Sequence, residues 1–176
     1  MPRLLRVTEA RRWDFVEDLP AWVPAGDIPA APLGDLKPSP TSKISVWLVE
    51  DGEPNLNRVI AGIAAGRQSI DKLDVLLVDR AQVENLPITC VKTPGDSKDG
   101  EANGLWHFDL VELTFTKLRD LIQLLAQHGE GRRWDEDAVK ELIVASVKAN
   151  HIKLVDLKES VRDEVQEALA ADAPAG

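Results

Sequence analysis

Asp51 and Asp79 each follow a near-continuous apolar run rich in β-branched residues, Ile44 to Val49 and Leu73 to Val78. Carboxylates at the carboxyl ends of neighbouring parallel strands are where α/β enzymes hold a divalent cation and activate water or a phosphoryl group. Asp51 and Asp79 are therefore candidate metal ligands, on condition that their strands are adjacent and in register. The loop Glu50-Asp51-Gly52-Glu53-Pro54-Asn55 has neither the glycine-rich cradle nor the lysine of a phosphate loop, and its carboxylates repel anions. The simpler reading of both aspartates is that they cap strand ends and helix starts. No further motif completes a catalytic set, so no catalytic residue and no cofactor is assigned.

A second constellation pairs a thiol with an imidazole. His107 and Asp109 fall on one face of the alternating run Trp106 to Leu113, and Cys90 lies in the run Ile88 to Lys92 expected to pair with it. A cysteine within hydrogen-bond reach of a histidine oriented by an aspartate is a nucleophile arrangement. Cys90 shares its face with Ile88, however, and a lone cysteine among apolar neighbours is ordinarily a small core residue. His107 and Asp109 then read as a surface pair.

Other groups suit recognition better than reaction. The connector Thr93 to Gly104 is all turn chemistry and carries Asp96, Asp99 and Glu101, candidate contacts for a basic partner. Trp22, in a proline-rich stretch, and Trp134, in an expected interhelical turn, are candidate partner anchors, with docking onto their own core as the simpler alternative. Trp13 poses the same choice. Gly62 and Gly66 form a GxxxG pair, but its helix is about half the roughly 20 residues of a membrane dimerisation segment, so close packing on a sheet is expected.

Charge and composition narrow the classes. The chain of 176 residues carries 21 Lys and Arg against 30 Asp and Glu, a net charge of −9. Residues 1–12 are basic at +3 and the remainder sums to −12. An acidic body repels phosphate backbones and anionic lipid, which disfavours nucleic-acid and membrane roles. A hydrophobic fraction of 44% supports a packed core. One cysteine, no His/Cys cluster and no apolar leader-like run give the expectation of a cytoplasmic protein without structural zinc.

These groups need a scaffold, and the pattern supplies one. Between the two apolar runs, Leu56, Val59, Ile60 and Ile63 recur at helical spacing, with Pro54 before them and Gly66 after. This predicts a βαβ crossover with parallel strands. Ile88 to Lys92 and Trp106 to Leu113 predict a β-hairpin with a long, mobile polar tip. Leu118, Leu121, Ile122 and Leu125 mark one helix, Val139, Leu142, Ile143 and Val147 a second, and Leu157, Val161 and Val165 a third. The short Gly129-Glu130-Gly131 link implies that the first two form an antiparallel helical hairpin.

The expected fold class is α/β: a small mixed sheet of about four strands with a βαβ unit and a β-hairpin, then a C-terminal three-helix region. The expected divisions are an N-terminal arm and Pro-rich tethered segment (1–42), an α/β core (43–113), a helical region (114–170) and a disordered tail (171–176). Six of the eleven prolines fall between residues 20 and 42. No motif here is specific to a family. The expected function is a protein-binding module, of adaptor, inhibitor or immunity type, recognising a basic protein partner through its acidic surface. The alternative is a small metal-dependent hydrolase or phosphotransferase built on Asp51 and Asp79.

Overall fold

The computed structural model describes residues 1–13, 27 and 29–171. In chain order the elements are β1 (Arg3–Thr8), β2 (Ile44–Val49), α1 (Leu56–Ala65), β3 (Leu73–Asp79), α2 (Arg80–Glu84), β4 (Thr89–Lys92), α3 (Gly100–Leu105), β5 (His107–Val111), α4 (Phe115–His128), β6 (Glu130–Trp134), α5 (Glu136–Lys148) and α6 (Glu159–Ala171). The strands form one six-stranded sheet in the order β4-β5-β2-β1-β3-β6, with every adjacent pair antiparallel.

The α/β class holds, but the sheet has six strands where about four were expected, and its ladder is antiparallel throughout. The two apolar runs and the helix between them are present as β2, α1 and β3, and β2 and β3 do run in the same direction. They are not neighbours, because β1 lies between them and is antiparallel to both. Leu5 faces Trp47 on one side and Leu77 on the other. Residues 3–8, expected in a docking arm, are thus a central strand. Arg3 and Arg6 interrupt the apolar pattern, and Arg6 leaves the sheet to donate to the carbonyls of Asp35 (2.7 Å) and Ser45 (2.9 Å).

Alternation assigns the two faces of the sheet. Leu5, Trp47, Val49, Leu73, Val75 and Leu77 pack under α1, α5 and α6. Leu4, Ile44, Val46, Leu76, Val78 and Leu110 pack under α4, whose Leu118, Leu121, Ile122 and Leu125 form its buried stripe. The result is a three-layer sandwich with helices on both sides of an open sheet.

The expected helical hairpin is corrected by β6. Residues 130–134 pair with β3, placing Glu130, Arg132 and Trp134 opposite Leu77, Val75 and Leu73. This edge strand sends α4 and α5 to opposite faces, so the C-terminal helices do not form one lobe. Its glycine and three charged residues resemble a loop in sequence, yet charge is what exposed edge strands use to resist further pairing. Ala171 ends α6, and residues 172–176 lie outside the described residues.

Candidate functional site

At the carboxyl ends of β2 and β3 the chain builds a compensated charge network. Arg3 at the start of β1 contacts Glu53 and donates to Glu130 Oε2 at 2.5 Å. Arg132 on β6 takes Glu53 with both terminal nitrogens, at 2.5 and 3.0 Å, and donates through Nε to Glu130 Oε1 at 2.6 Å. Hydrogen bonds from Arg132 hold the Glu130 carboxyl below the usual range, with burial opposing and Arg3 adding to the effect. Glu53 sits at φ 63°, directly after Gly52 at φ 74°, a left-handed pair that turns the loop into α1. Two guanidinia and two carboxylates satisfy one another here and stitch the loop to both β1 and β6.

The candidate metal ligands flank this network without meeting. Val49 and Asp79 both stand opposite Arg3, so one strand separates their ends, a spacing of about 10 Å across two ladder steps. Asp51 is in the exposed turn, where the N-terminal ammonium at 2.6 Å lowers its pKa. Asp79 ends β3 and immediately precedes α2. Among the described residues no group of three His, Cys, Asp or Glu side chains is arranged to hold a metal ion.

The connector of the β4–β5 hairpin is ordered, which changes the reading of its carboxylates. Asp99 is fully buried, caps α3 by accepting from the Ala102 N–H at 2.9 Å, and takes Arg58 of α1 with both oxygens at 2.5 and 2.9 Å. Burial pushes its pKa up, but the bonds from Arg58 and Ala102 outweigh it and the carboxyl lies below the usual range. Glu101 is exposed and accepts from Arg58 at 2.7 Å. Asp96 is exposed. Arg58 also stacks over Trp106 at 5.3 Å, and Trp106 donates to Glu50 at 2.9 Å. Gly62 is the reason the connector lies so close: a Cβ there would stand 3.0 Å from Ser97 Oγ. Its small surface faces this connector, not the sheet.

His107 and Asp109 share a face, as the alternation predicts, but both are buried and are not a surface pair. His107 packs edge-on against Trp47 at 4.9 Å and its Nδ1 lies 3.0 Å from Thr93 Oγ1. Burial works to raise Asp109, while hydrogen bonds from Ser45, Lys43 and Thr93 bring it below its ordinary value. Cys90 stands opposite Leu110 on the other face of the sheet, with its pKa raised by burial. The thiol and the imidazole therefore do not form a nucleophile pair.

Of the tryptophans, Trp13 is buried and donates to Asp35 Oδ2 at 2.8 Å. Asp35 also accepts from Arg12 at 2.7 Å and from the Glu9 N–H at 2.9 Å, tying the residues after β1 to the proline-rich stretch. Trp134 is half-buried in β6 against the core under α1 and α5, not in an interhelical turn. Trp22 lies outside the described residues.

Sequence reasoning missed Arg3, Arg58 and Arg132, whose carboxylate partners are distant along the chain. It also missed Asn55, which accepts from the Glu50 N–H and donates to the Leu48 carbonyl, both at 2.9 Å. Only the place of this asparagine, directly before a helical stripe, hinted at the last of these.

Two open concavities of mixed chemistry lie among the described residues: one of about 580 Å³ lined by Thr8, Trp13, Asp74, Leu125, Arg132 and Arg133, and the groove between α5 and α6, of about 620 Å³. Val144, Ala145, Ala168 and Ala171 line it together with Asp137, Lys140, Glu141 and Lys148. No helix among the described residues is long and apolar enough to cross a membrane. Comparison with protein-family models, with curated proteins and with solved structures gives no match for this chain.

Proposed function

We propose that this chain is a cytoplasmic protein-binding module that takes a basic segment of a protein partner. The observation that supports this reading is the α5–α6 groove, whose small apolar floor is lined by Asp137 and Glu141 together with Lys140 and Lys148, the negative excess coming from the helix surfaces around it. Asp137 and Glu141 rim it from α5, and Glu136, Asp163 and Glu167 are exposed on the same two helices. The hairpin tip is a weaker surface for the same task, since Arg58 already engages Asp99 and Glu101. A lysine- or arginine-bearing segment with small apolar side chains would match both the floor and the rim.

The test is capture by the tagged full chain from nuclease-treated lysate at stepped salt, in parallel with a chain carrying Asp137→Lys and Glu141→Lys. A stoichiometric basic protein released by rising salt, and lost with the charge-reversed chain, is the expected result. Equal capture by both chains would remove the groove from the interface. Capture of nothing by either would reject the binding-module reading.

A further inference from the structure

The helices do not cover the two faces of the sheet evenly. α1, α5 and α6 lie on one face, whereas α4 is the long helix of the other and ends at His128. Beyond that end the corner made by β1, β3 and β6 stays open as the concavity of about 580 Å³, across the sheet from the α5–α6 groove. Sites for small molecules ordinarily measure about 300–1,000 Å³.

Gly131 is the residue that keeps this corner open. It sits within β6 opposite Leu76, in an unbroken register from Glu130 to Trp134, so no bulge accounts for it. Its backbone is not left-handed, and a Cβ there would meet only Leu76 Cδ2, at 3.9 Å. Glycine weakens a strand interior, and where neither a bulge nor a bend demands it, it marks the close approach of another group. A side chain at residue 131 would stand in the concavity, whose walls include Trp13 and Leu125.

The polar end of the concavity is Asp74 with Arg133, its partner across the β3–β6 ladder. Asp74 accepts from Arg133 at 2.5 and 3.2 Å and from the Ala10 N–H at 3.2 Å, so its oxygens are engaged. Arg133 brings the exposed charge, with 54% of its side chain open against 11% for Asp74. Lys72 adds a second positive field at this carboxylate, while Arg132 turns its guanidinium to Glu53. Asp74 is the single acid on the lining, against Arg132 and Arg133. On a chain of net charge −9 this corner is a positive opening over an apolar floor.

We infer that this corner binds a small organic carboxylate with an apolar or aromatic body, its charge at Arg133 and its body over Gly131, beside Leu76, Leu125 and Trp13. The exposed guanidinium attracts the anion, and its two bonds to Asp74 fix its position before the ligand arrives. The site is independent of the basic-partner groove, which lies on the other face of the sheet.

The probe is phenylbutyrate, an aromatic body bearing one carboxylate, titrated into the native chain and followed by ligand-observed NMR and tryptophan fluorescence. Its uncharged amide, of the same shape, is the control. The carboxylate should bind with a Kd below about 1 mM and the amide at least about tenfold more weakly. Gly131→Val fills the floor, so it should weaken the carboxylate at least about tenfold while keeping the melting temperature, since a β-branched residue suits a strand. Arg133→Gln should bring the carboxylate down to the level of the amide. Equal binding of carboxylate and amide, undiminished binding by Gly131→Val, or no binding at about 10 mM would overturn the inference. So would binding that appears only when residues 14–26 are replaced by a Gly-Ser linker, which would give the corner to this chain itself.

Discussion

Arg58 and Asp99, 41 residues apart in sequence, form a two-toothed ion pair that clamps the β4–β5 connector onto α1. The carboxylate is fully buried and also caps α3, so the pair fixes a segment that its turn-rich sequence would otherwise leave loose. Removing the arginine strands a buried charge, which ordinarily costs about 3 kcal/mol or more. Arg58→Met is therefore expected to destabilise the fold by about that amount, and Asp99→Asn by less, because the amide still caps α3. Urea unfolding of both variants checks the order, and a larger loss in Asp99→Asn would contradict it.

The same pair gives a pH dependence with a definite sign. The Asp99 carboxyl is lowered in the folded state, so its contribution is complete above its unfolded pKa of about 4 and is lost as pH falls through the folded value. Glu130 and Asp74, lowered chiefly by Arg132 and Arg133 respectively, act in the same direction. Stability measured between about pH 2 and 7 should fall on the acid side, with a shallower fall in Asp99→Asn. An acid limb unchanged by that substitution would assign the loss to other groups.

Two glycines in and beside this clamp should respond oppositely to alanine. At Gly62 the new methyl meets Ser97 Oγ at 3.0 Å and Asp99 Cβ at 3.2 Å, so the connector must shift. Gly62→Ala is expected to lose about 1–2 kcal/mol despite the better helix propensity. At Gly100, the first residue of α3, a Cβ meets nothing within 4 Å, and Gly100→Ala should gain up to about 1 kcal/mol. Thermal unfolding of both variants distinguishes close packing from intrinsic helix preference.

Glu53 combines a left-handed backbone with two guanidinium partners. Glu53→Ala loses the ion pairs and keeps the strained φ, whereas Glu53→Gly loses the ion pairs and relieves the strain. The glycine variant should be the more stable of the two by about 1 kcal/mol, a difference that persists in high salt because its origin is steric. If the two variants are equally stable, the left-handed backbone at residue 53 carries no cost.

Cys90 should behave as a packed thiol. Burial raises its pKa, so at neutral pH it should react with a thiol-specific disulfide reagent more slowly than a small free thiol, and faster as pH rises. Fast modification at neutral pH would revive a reactive role on its own face of the sheet.

The sequence revealed local structure far better than neighbourhood. β2, α1 and β3 were legible because both strands bury both faces and Leu56, Val59 and Ile60 keep helical spacing. β1 was hidden by Arg3 and Arg6, and its insertion between β2 and β3 depends on pairings across more than forty residues, which no local pattern records. β6 was hidden because a glycine and two arginines on an edge strand resemble a turn. The candidate site failed in the same way: Asp99 looks like a solvated tip residue until α1 brings Arg58 to it. Asp51 and Asp79 sit at strand ends as read, and the intervening strand is what keeps them apart.

The central place of β1 has a consequence for synthesis. Its residues leave the ribosome before either of the strands that will flank them. Arg3 to Thr8 can pair first with Ile44 to Val49, but its other edge stays open until Leu73 to Asp79 has emerged, and only then can the middle of the sheet close. Deleting this strand would divide the sheet into β4-β5-β2 and β3-β6, exposing two new edges at the centre of the molecule. A chain shortened by its first eight residues is thus expected to precipitate as it is made.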